Sequence, residues 1–144
     1  MFRRETGKPN LVTMTNAISN LYANGDLLYA NGSGALIPAD ATSGAHYGIM
    51  NGEVTATDDL YSTAGDISVD MLRAGDQVRC DDVDGTLTAA LEGTTMDLSN
   101  AESVNQAATS KNVVTLIKFI SASEGIFVVN ALASVTNVVT SWHL

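Results

Sequence analysis

Short apolar runs recur along this chain, separated by turn dipeptides. Asn24-Gly25, Asn31-Gly32, Asn51-Gly52, Gly75-Asp76, Asp84-Gly85 and Glu124-Gly125 supply the turns. Asn-Gly suits tight hairpins because both residues tolerate positive φ. Between the turns lie LLYA, ALIP, HYGIM, DISVDML, QVRCDDV, TLTAAL, VVTLIKFI and IFVVNAL. Short strands at roughly ten-residue spacing predict an all-β barrel or sandwich. In ISVDML, Ile67, Val69 and Met71 alternate with Ser68 and Asp70, the pattern of a half-buried strand. VVTLIKFI (113–120) is mostly apolar on both faces, as in a strand covered on each side, and IFVVNAL should be its antiparallel partner.

Two segments break this rhythm. Ser99 and Glu102 have capping-box spacing before AESVNQAAT, which predicts one short helix with a small apolar face of Ala101, Val104 and Ala108. Residues 1–20 are polar, basic and rich in Thr and Asn, with weak periodicity and no turn-bounded strand. They read as an extended arm that orders on a partner. The expected architecture is mainly β: an arm at 1–20, then a compact β-barrel or β-tulip-like domain at 21–144 carrying one short helix.

Composition sharpens this picture. With 45% hydrophobic and 16% charged residues, a chain of 144 has enough apolar material for one core. The formal net charge is −9, which makes the chain a poor candidate for binding nucleic acid through phosphates, and no nucleic-acid partner is expected. Yet Arg3, Arg4 and Lys8 are three of only seven basic residues. Between Pro9 and Ser110 only Arg73 and Arg79 are basic, so the arm and the body have opposite character. Cys80 is the single cysteine, so no intrachain disulfide is possible. No apolar run follows the basic start, so no secretory leader is expected. Lys118, Glu124 and Asn130 interrupt the apolar C-terminal third, so no membrane span is expected.

Catalytic material is scarce. CDDVDG (80–85) approaches a calcium loop, but Cys80 and Leu91 stand where anchoring carboxylates are required, so no metal site is expected. LRAGDQVRC…DGTL is similar to the hairpins of swapped barrels that carry biotin or lipoate. No lysine occurs between Lys8 and Lys111 to carry either group, and no cofactor is expected. His46 and His143 lie far apart in the chain, and no nucleophile motif accompanies them. Asp58-Asp59 and Asp81-Asp82 read as solvated turns, and NGSGAL lacks the lysine of a phosphate loop. Asn31-Gly32-Ser33 matches a glycosylation sequon by chance alone. The chain is not expected to be an enzyme.

The stretch GDLLYANGSGALIPADATSGAHYGIMNGEVTATDD (25–59) resembles the head decoration, or cement, proteins of tailed bacteriophages, in particular the lambda-type capsid-stabilising family. The likeness lies in a Gly34-Ala-Leu36-Ile-Pro38-Ala-Asp40 hairpin, an Ala45-His-Tyr-Gly48-Ile49 strand and the AGDQVRC hairpin (74–80). It covers about a third of the chain. The resemblance implies a structural virion protein on the outer capsid surface, made in the host cytoplasm, without catalytic residues. It implies a homotrimer at local threefold positions, with the major capsid protein as partner. Arg3, Arg4 and Lys8 would then meet an acidic shell surface, with Leu11, Val12 and Met14 as side-chain anchors. Such an arm should be removable without unfolding the body. Other readings are a tail-tube or fibre-associated β domain and a carbohydrate-binding module, for which Trp142 and four Tyr are thin material.

Overall fold

In a computed structural model of the chain, described over residues 1–30, 32, 34–41, 46–130 and 132, the apolar runs become strands of two sheets. The strands are β1 (Phe2–Arg4), β2 (Leu11–Thr15), β3 (Leu27–Ala30), β4 (Leu36–Pro38), β5 (His46–Asn51), β6 (Asp66–Met71), β7 (Gln77–Cys80), β8 (Val83–Asp84), β9 (Thr95–Leu98), β10 (Val104–Asn105), β11 (Val114–Ser121) and β12 (Glu124–Val129). A single helical turn, α1 (Asp59–Ser62), precedes β6, and a 3-10 turn spans Ala89–Leu91. The fold is mainly β.

One sheet has seven strands in the order β1-β7-β12-β11-β9-β10-β8, the other five in the order β2-β6-β5-β3-β4. Every strand pair is antiparallel except β10 with β8. Only Asp81 and Asp82 separate β7 from β8, yet these strands stand second and last in the large sheet. The sheet therefore curls until one bent segment serves both positions. In the small sheet the edges approach as well: Asn16, just past β2, bridges Leu36 of β4 in parallel. The Tyr22 hydroxyl fixes this corner, donating to the Leu36 carbonyl at 2.7 Å and accepting the Ala17 N–H at 2.9 Å.

The core is divided in two, and β3 and β5 form the wall between the parts. Leu27 and Ile49 face the larger cluster with Phe2, Val78, Met96, Leu116 and Phe127. Their neighbours Leu28 and Met50 face the smaller cluster with Met14, Tyr22, Val54, Ile67 and Val69. Alternate side chains on one strand point to opposite faces, so a wall strand is buried throughout. This accounts for the unbroken apolar character of LLYA and HYGIM, where burial is continuous from His46 to Met50.

Several expectations need correction. The helix after Ser99 does not form. The Ser99 and Ser103 hydroxyls donate instead to the carboxylates of Asp84 and Asp82, at 3.1 and 2.6 Å. Val104 joins a strand between β8 and β9, and helix is confined to α1 among the described residues. Tertiary pairing overrides a local capping signal that had little apolar face behind it. β11 is covered on one side only: Leu116 is buried, whereas Ile117 and Ile120 are exposed. Breaks in the β11–β12 register between Leu116 and Lys118 and between Phe119 and Ser121 disturb the alternation. Gly125 lies inside β12 rather than in a turn, and a side chain there would press on Leu116 Cδ1 at 2.7 Å. Pairing of β11 with β12 agrees with expectation, as do the Asn24-Gly25 and Asn51-Gly52 turns, with glycine φ of 90° and 114°. Residues 133–144, including Trp142 and His143, lie outside the described residues.

Gly48 shows how closely the wall is packed. A Cβ at this position would meet the Asp70 backbone carbonyl and, at 2.7 Å, Val69 Cγ1. Gly48→Ala is expected to cost about 1–3 kcal/mol as an overpacked site. A lower midpoint in urea unfolding, with an unchanged slope, is the outcome to look for.

Candidate functional site

The N-terminal segment, expected to be a detachable arm, is woven into both sheets. β1 pairs with β7 in the register Phe2↔Cys80, Arg3↔Arg79, Arg4↔Val78. β2 pairs with β6 from Leu11↔Asp70 to Thr15↔Asp66. Phe2 is fully buried in the larger core, and its N–H donates to the Gly25 carbonyl at 2.9 Å. Deleting residues 1–14 would remove β1, most of β2 and a core aromatic ring, so the body cannot be indifferent to it. The reading of residues 1–20 as unpaired lacked a long-range partner. β1 is three residues long and has no periodicity of its own.

The proposed arm residues separate into distinct environments. Arg4 is 7% exposed at its side chain and works inside the molecule. Its Nε and Nη2 donate to the two carboxylate oxygens of Asp70 at 2.9 and 2.8 Å, and Nη1 pairs with Asp76 at 2.9 Å. Nη2 also donates to the Met71 carbonyl at 3.1 Å and Nη1 to that of Thr6 at 3.2 Å. Asp70 in turn accepts the Asn10 N–H at 2.8 Å. These carboxylates hold the guanidinium pKa above its ordinary value, Asp70 foremost. Met14 is buried in the smaller core and Val12 packs half-buried against it, so neither is an anchor for a partner. Arg3 is exposed, with Glu124 at 3.6 Å, and Lys8 is exposed in the connection between β1 and β2. Leu11 is 56% exposed.

A second feature of the same segment escapes a search for chemical motifs. Residues 9–25 carry no charged side chain in a chain of net charge −9. Along this stretch Leu11, Ile18 and Leu21 stand 56%, 51% and 60% exposed. An uncharged run between Lys8 and Asp26 could have been read from the sequence. Which of its apolar residues face outward could not. Beside it, a groove of about 340 Å³ is lined by Met1, Arg3, Pro9, Leu11, Asn24 and Asn51, among others. Its ionic floor, Arg4 with Asp70, is already mutually satisfied and offers no free acid or base.

The remaining candidate chemistry resolves into structure. In the calcium-like loop, the Asp82 and Asp84 carboxylates accept serine hydroxyls. The Cys80 thiol is buried with the carbonyls of Asp82 and Glu102 both within reach of its one S–H, and burial raises its pKa. Asp58 accepts the Thr55 N–H at 2.7 Å. His46 is fully buried in β5, its ring 6.4 Å from that of Tyr29. No group of three or more His, Cys, Asp or Glu among the described residues is placed to hold a metal, and none of their helices is long and apolar enough to cross a membrane.

Asp26 is the unusual titrating group. It is 4% exposed. Its Oδ2 accepts the Ala23 N–H at 2.8 Å, while Oδ1 is buried with the Glu102 carboxylate nearby. Desolvation, only partly offset by the Ala23 bond, pushes its pKa up to about 6, and the nearby Glu102 carboxylate adds to the rise.

No family model matches this chain, and neither does any curated protein.

Arg4→Ala is expected to destabilise by about 3–5 kcal/mol, because it leaves the buried Asp70 carboxylate without its charge partner. Arg4→Lys should recover only part of this, since an ammonium cannot reproduce the paired geometry. Denaturant unfolding of both variants checks this. Asp26 gives an independent pH signature. Its folded pKa lies above the ordinary 3.8, so the native state binds its proton more tightly. Its stabilising effect is full below about pH 4 and is lost as pH rises through about 6, on the order of 2–3 kcal/mol. Asp26→Asn should therefore unfold at higher urea than the parent at pH 8, with the difference shrinking toward pH 4.

Proposed function

We propose that this protein is a structural virion component of the head-decoration type, which binds the outer surface of a phage capsid and stabilises the shell. The observation that carries this reading is the absence of charged side chains from residues 9–25, whose Leu11, Ile18 and Leu21 are more than half exposed. An acidic protein remains soluble by surrounding itself with charge, so an exposed apolar stretch without charge is a surface made for contact. The resemblance over residues 25–59 supports the same reading, and in this fold that stretch supplies β3, β4 and β5. The satisfied acids, buried thiol and internal Arg4–Asp70 pair fit a binding module better than a catalyst.

The mode of binding differs from an arm that folds on contact. The segment is already fixed by β1 and β2, so docking forfeits little backbone entropy. Ile18 and Leu21 supply the apolar contact. Arg3 and Lys8, both exposed, guide approach to an acidic shell. Many copies on one shell turn modest single contacts into durable cover.

Electron microscopy of the protein mixed with expanded phage heads tests this. Ordered density on the outer shell is expected. Replacing both Ile18 and Leu21 with Ser should reduce shell occupancy about tenfold or more while changing stability by only about 0.5 kcal/mol per site. Replacing Arg3 and Lys8 with Ala should give a smaller loss that disappears at high salt. Bare shells at saturating protein, or full occupancy by the Ile18/Leu21 variant, would refute the reading.

A further inference from the structure

Two Asn-Gly turns, far apart in sequence, meet in this fold. Asn24-Gly25 lies just before β3, and Asn51-Gly52 ends β5. Their hydrogen bonds interlock. Gly52 N–H donates to Asn24 Oδ1 at 2.9 Å, and Gly25 N–H donates to the Met50 carbonyl at 2.9 Å. Met50 N–H donates in turn to the Asp26 carbonyl at 2.8 Å. The two turns are alike in sequence and unlike in surroundings. Gly25 is buried, with Met1 and the Phe2 carbonyl against it. Asn51 and Gly52 are exposed, and a side chain built on Gly52 would meet nothing within 4 Å.

An Asn-Gly pair carries its own chemistry. The glycine nitrogen, once it loses its proton, can attack the asparagine Cγ. A new N–C bond closes a cyclic imide, the bond from Cγ to Nδ2 breaks, and ammonia leaves. Water then opens the imide to aspartate or isoaspartate. Glycine permits the ring because it has no side chain to obstruct it. The reaction needs a glycine N–H that a base can reach and an asparagine amide free to turn toward it. At Asn24-Gly25 both are denied: the N–H is buried on a backbone carbonyl, and Oδ1 is held toward Gly52. At Asn51-Gly52 the N–H is exposed and bonded to a single side chain, that of Asn24. The Asn51 amide is held by an exposed bond from its Nδ2 to Ser68 Oγ at 3.2 Å.

We propose that Asn51 is a site of spontaneous deamidation in the folded protein, and that the Asn24 side chain sets its rate by holding the Gly52 N–H. The product places a carboxylate in the groove that Asn51 shares with Arg3 and Leu11, and makes the net charge one unit more negative than −9. Asn51 is the last residue of β5 and pairs with Ser68 at the end of the β5–β6 ladder. The longer isoaspartyl backbone therefore disturbs that ladder at its end and spares the pairs from Gly48 to Met50. The inference does not rest on the capsid reading, and its test involves no shell.

The test incubates the full chain in mildly alkaline buffer and then digests it with a protease that cuts after Asp and Glu. Cuts after Glu5, Asp26, Asp40 and Glu53 place Asn24, Asn31 and Asn51 in separate peptides, 6–26, 27–40 and 41–53. Mass spectrometry should show deamidation accumulating in 41–53 while 6–26 stays intact. In the urea-unfolded chain both peptides should react alike. Asn24→Ala removes the acceptor and should speed the loss at Asn51 about fivefold, the scale of one net hydrogen bond. Asn24→Asp keeps an acceptor for the Gly52 N–H and should leave the rate near that of the parent. Both variants should keep the parent's circular dichroism spectrum. Equal loss from 6–26 and 41–53 in the folded parent, or none from 41–53, overturns the proposal. So does a rate at Asn51 that Asn24→Ala leaves unchanged, or that Asn24→Ala and Asn24→Asp raise equally.

Discussion

The ion cluster centred on Arg4 and Asp70 joins the two halves of this fold. Arg4 belongs to the large sheet and Asp70 to the small one, and the two-point contact between them fixes distance and orientation together. Asp76 binds the guanidinium from the turn before β7, and Asn10 binds Asp70 from the start of β2. One buried positive charge therefore positions the first strand, the connection after it, the second strand and the β6–β7 turn. Burying such a pair is costly in desolvation, and most of its value lies in specifying a single arrangement. The positive charge near the start of the chain has two uses: Arg4 is internal, whereas Arg3 and Lys8 remain available to a partner.

With that junction fixed, the division of the core follows. β3 and β5 are shared walls because β1 and β7 bring Phe2 and Val78 to one side of them, while β2 and β6 bring Met14 and Val69 to the other. Gly48 lets β5 approach β6 closely, and Gly125 leaves room for Leu87 and Leu116 beneath β12. Both glycines serve packing, Gly52 serves a turn, and Gly25 serves a turn while leaving room for Met1 and the Phe2 carbonyl. The same residue type carries two meanings along this chain, and only the three-dimensional neighbours separate them.

The β character, the hairpin of β11 with β12 and several turns were legible from local pattern, because alternation and Asn-Gly dipeptides act over a few residues. Failures occurred where partners are distant in sequence. Phe2 and Arg4 looked like parts of a solvated arm because Cys80 and Asp70 give them their meaning. Ser99 looked like a helix cap because nothing nearby revealed Asp84 as its partner. For the candidate surface, the absence of charge between Lys8 and Asp26 was visible in the sequence. Met14 inward and Leu11 outward could be decided only once the β2–β6 register was known.

The placement of the first strands also sets the order in which the molecule can assemble. β1 and β2 leave the ribosome well before their partners, β7 and β6. At about 5–20 residues per second, both strands wait several seconds for those partners to be made. Pairings so far apart in sequence also close slowly once both sides exist. Throughout that interval LVTMT is an uncharged segment of high strand propensity with both edges unpaired. The flanking Arg3, Arg4 and Lys8 then act as gatekeepers, discouraging nascent chains from pairing with one another before Arg4 withdraws into the finished fold.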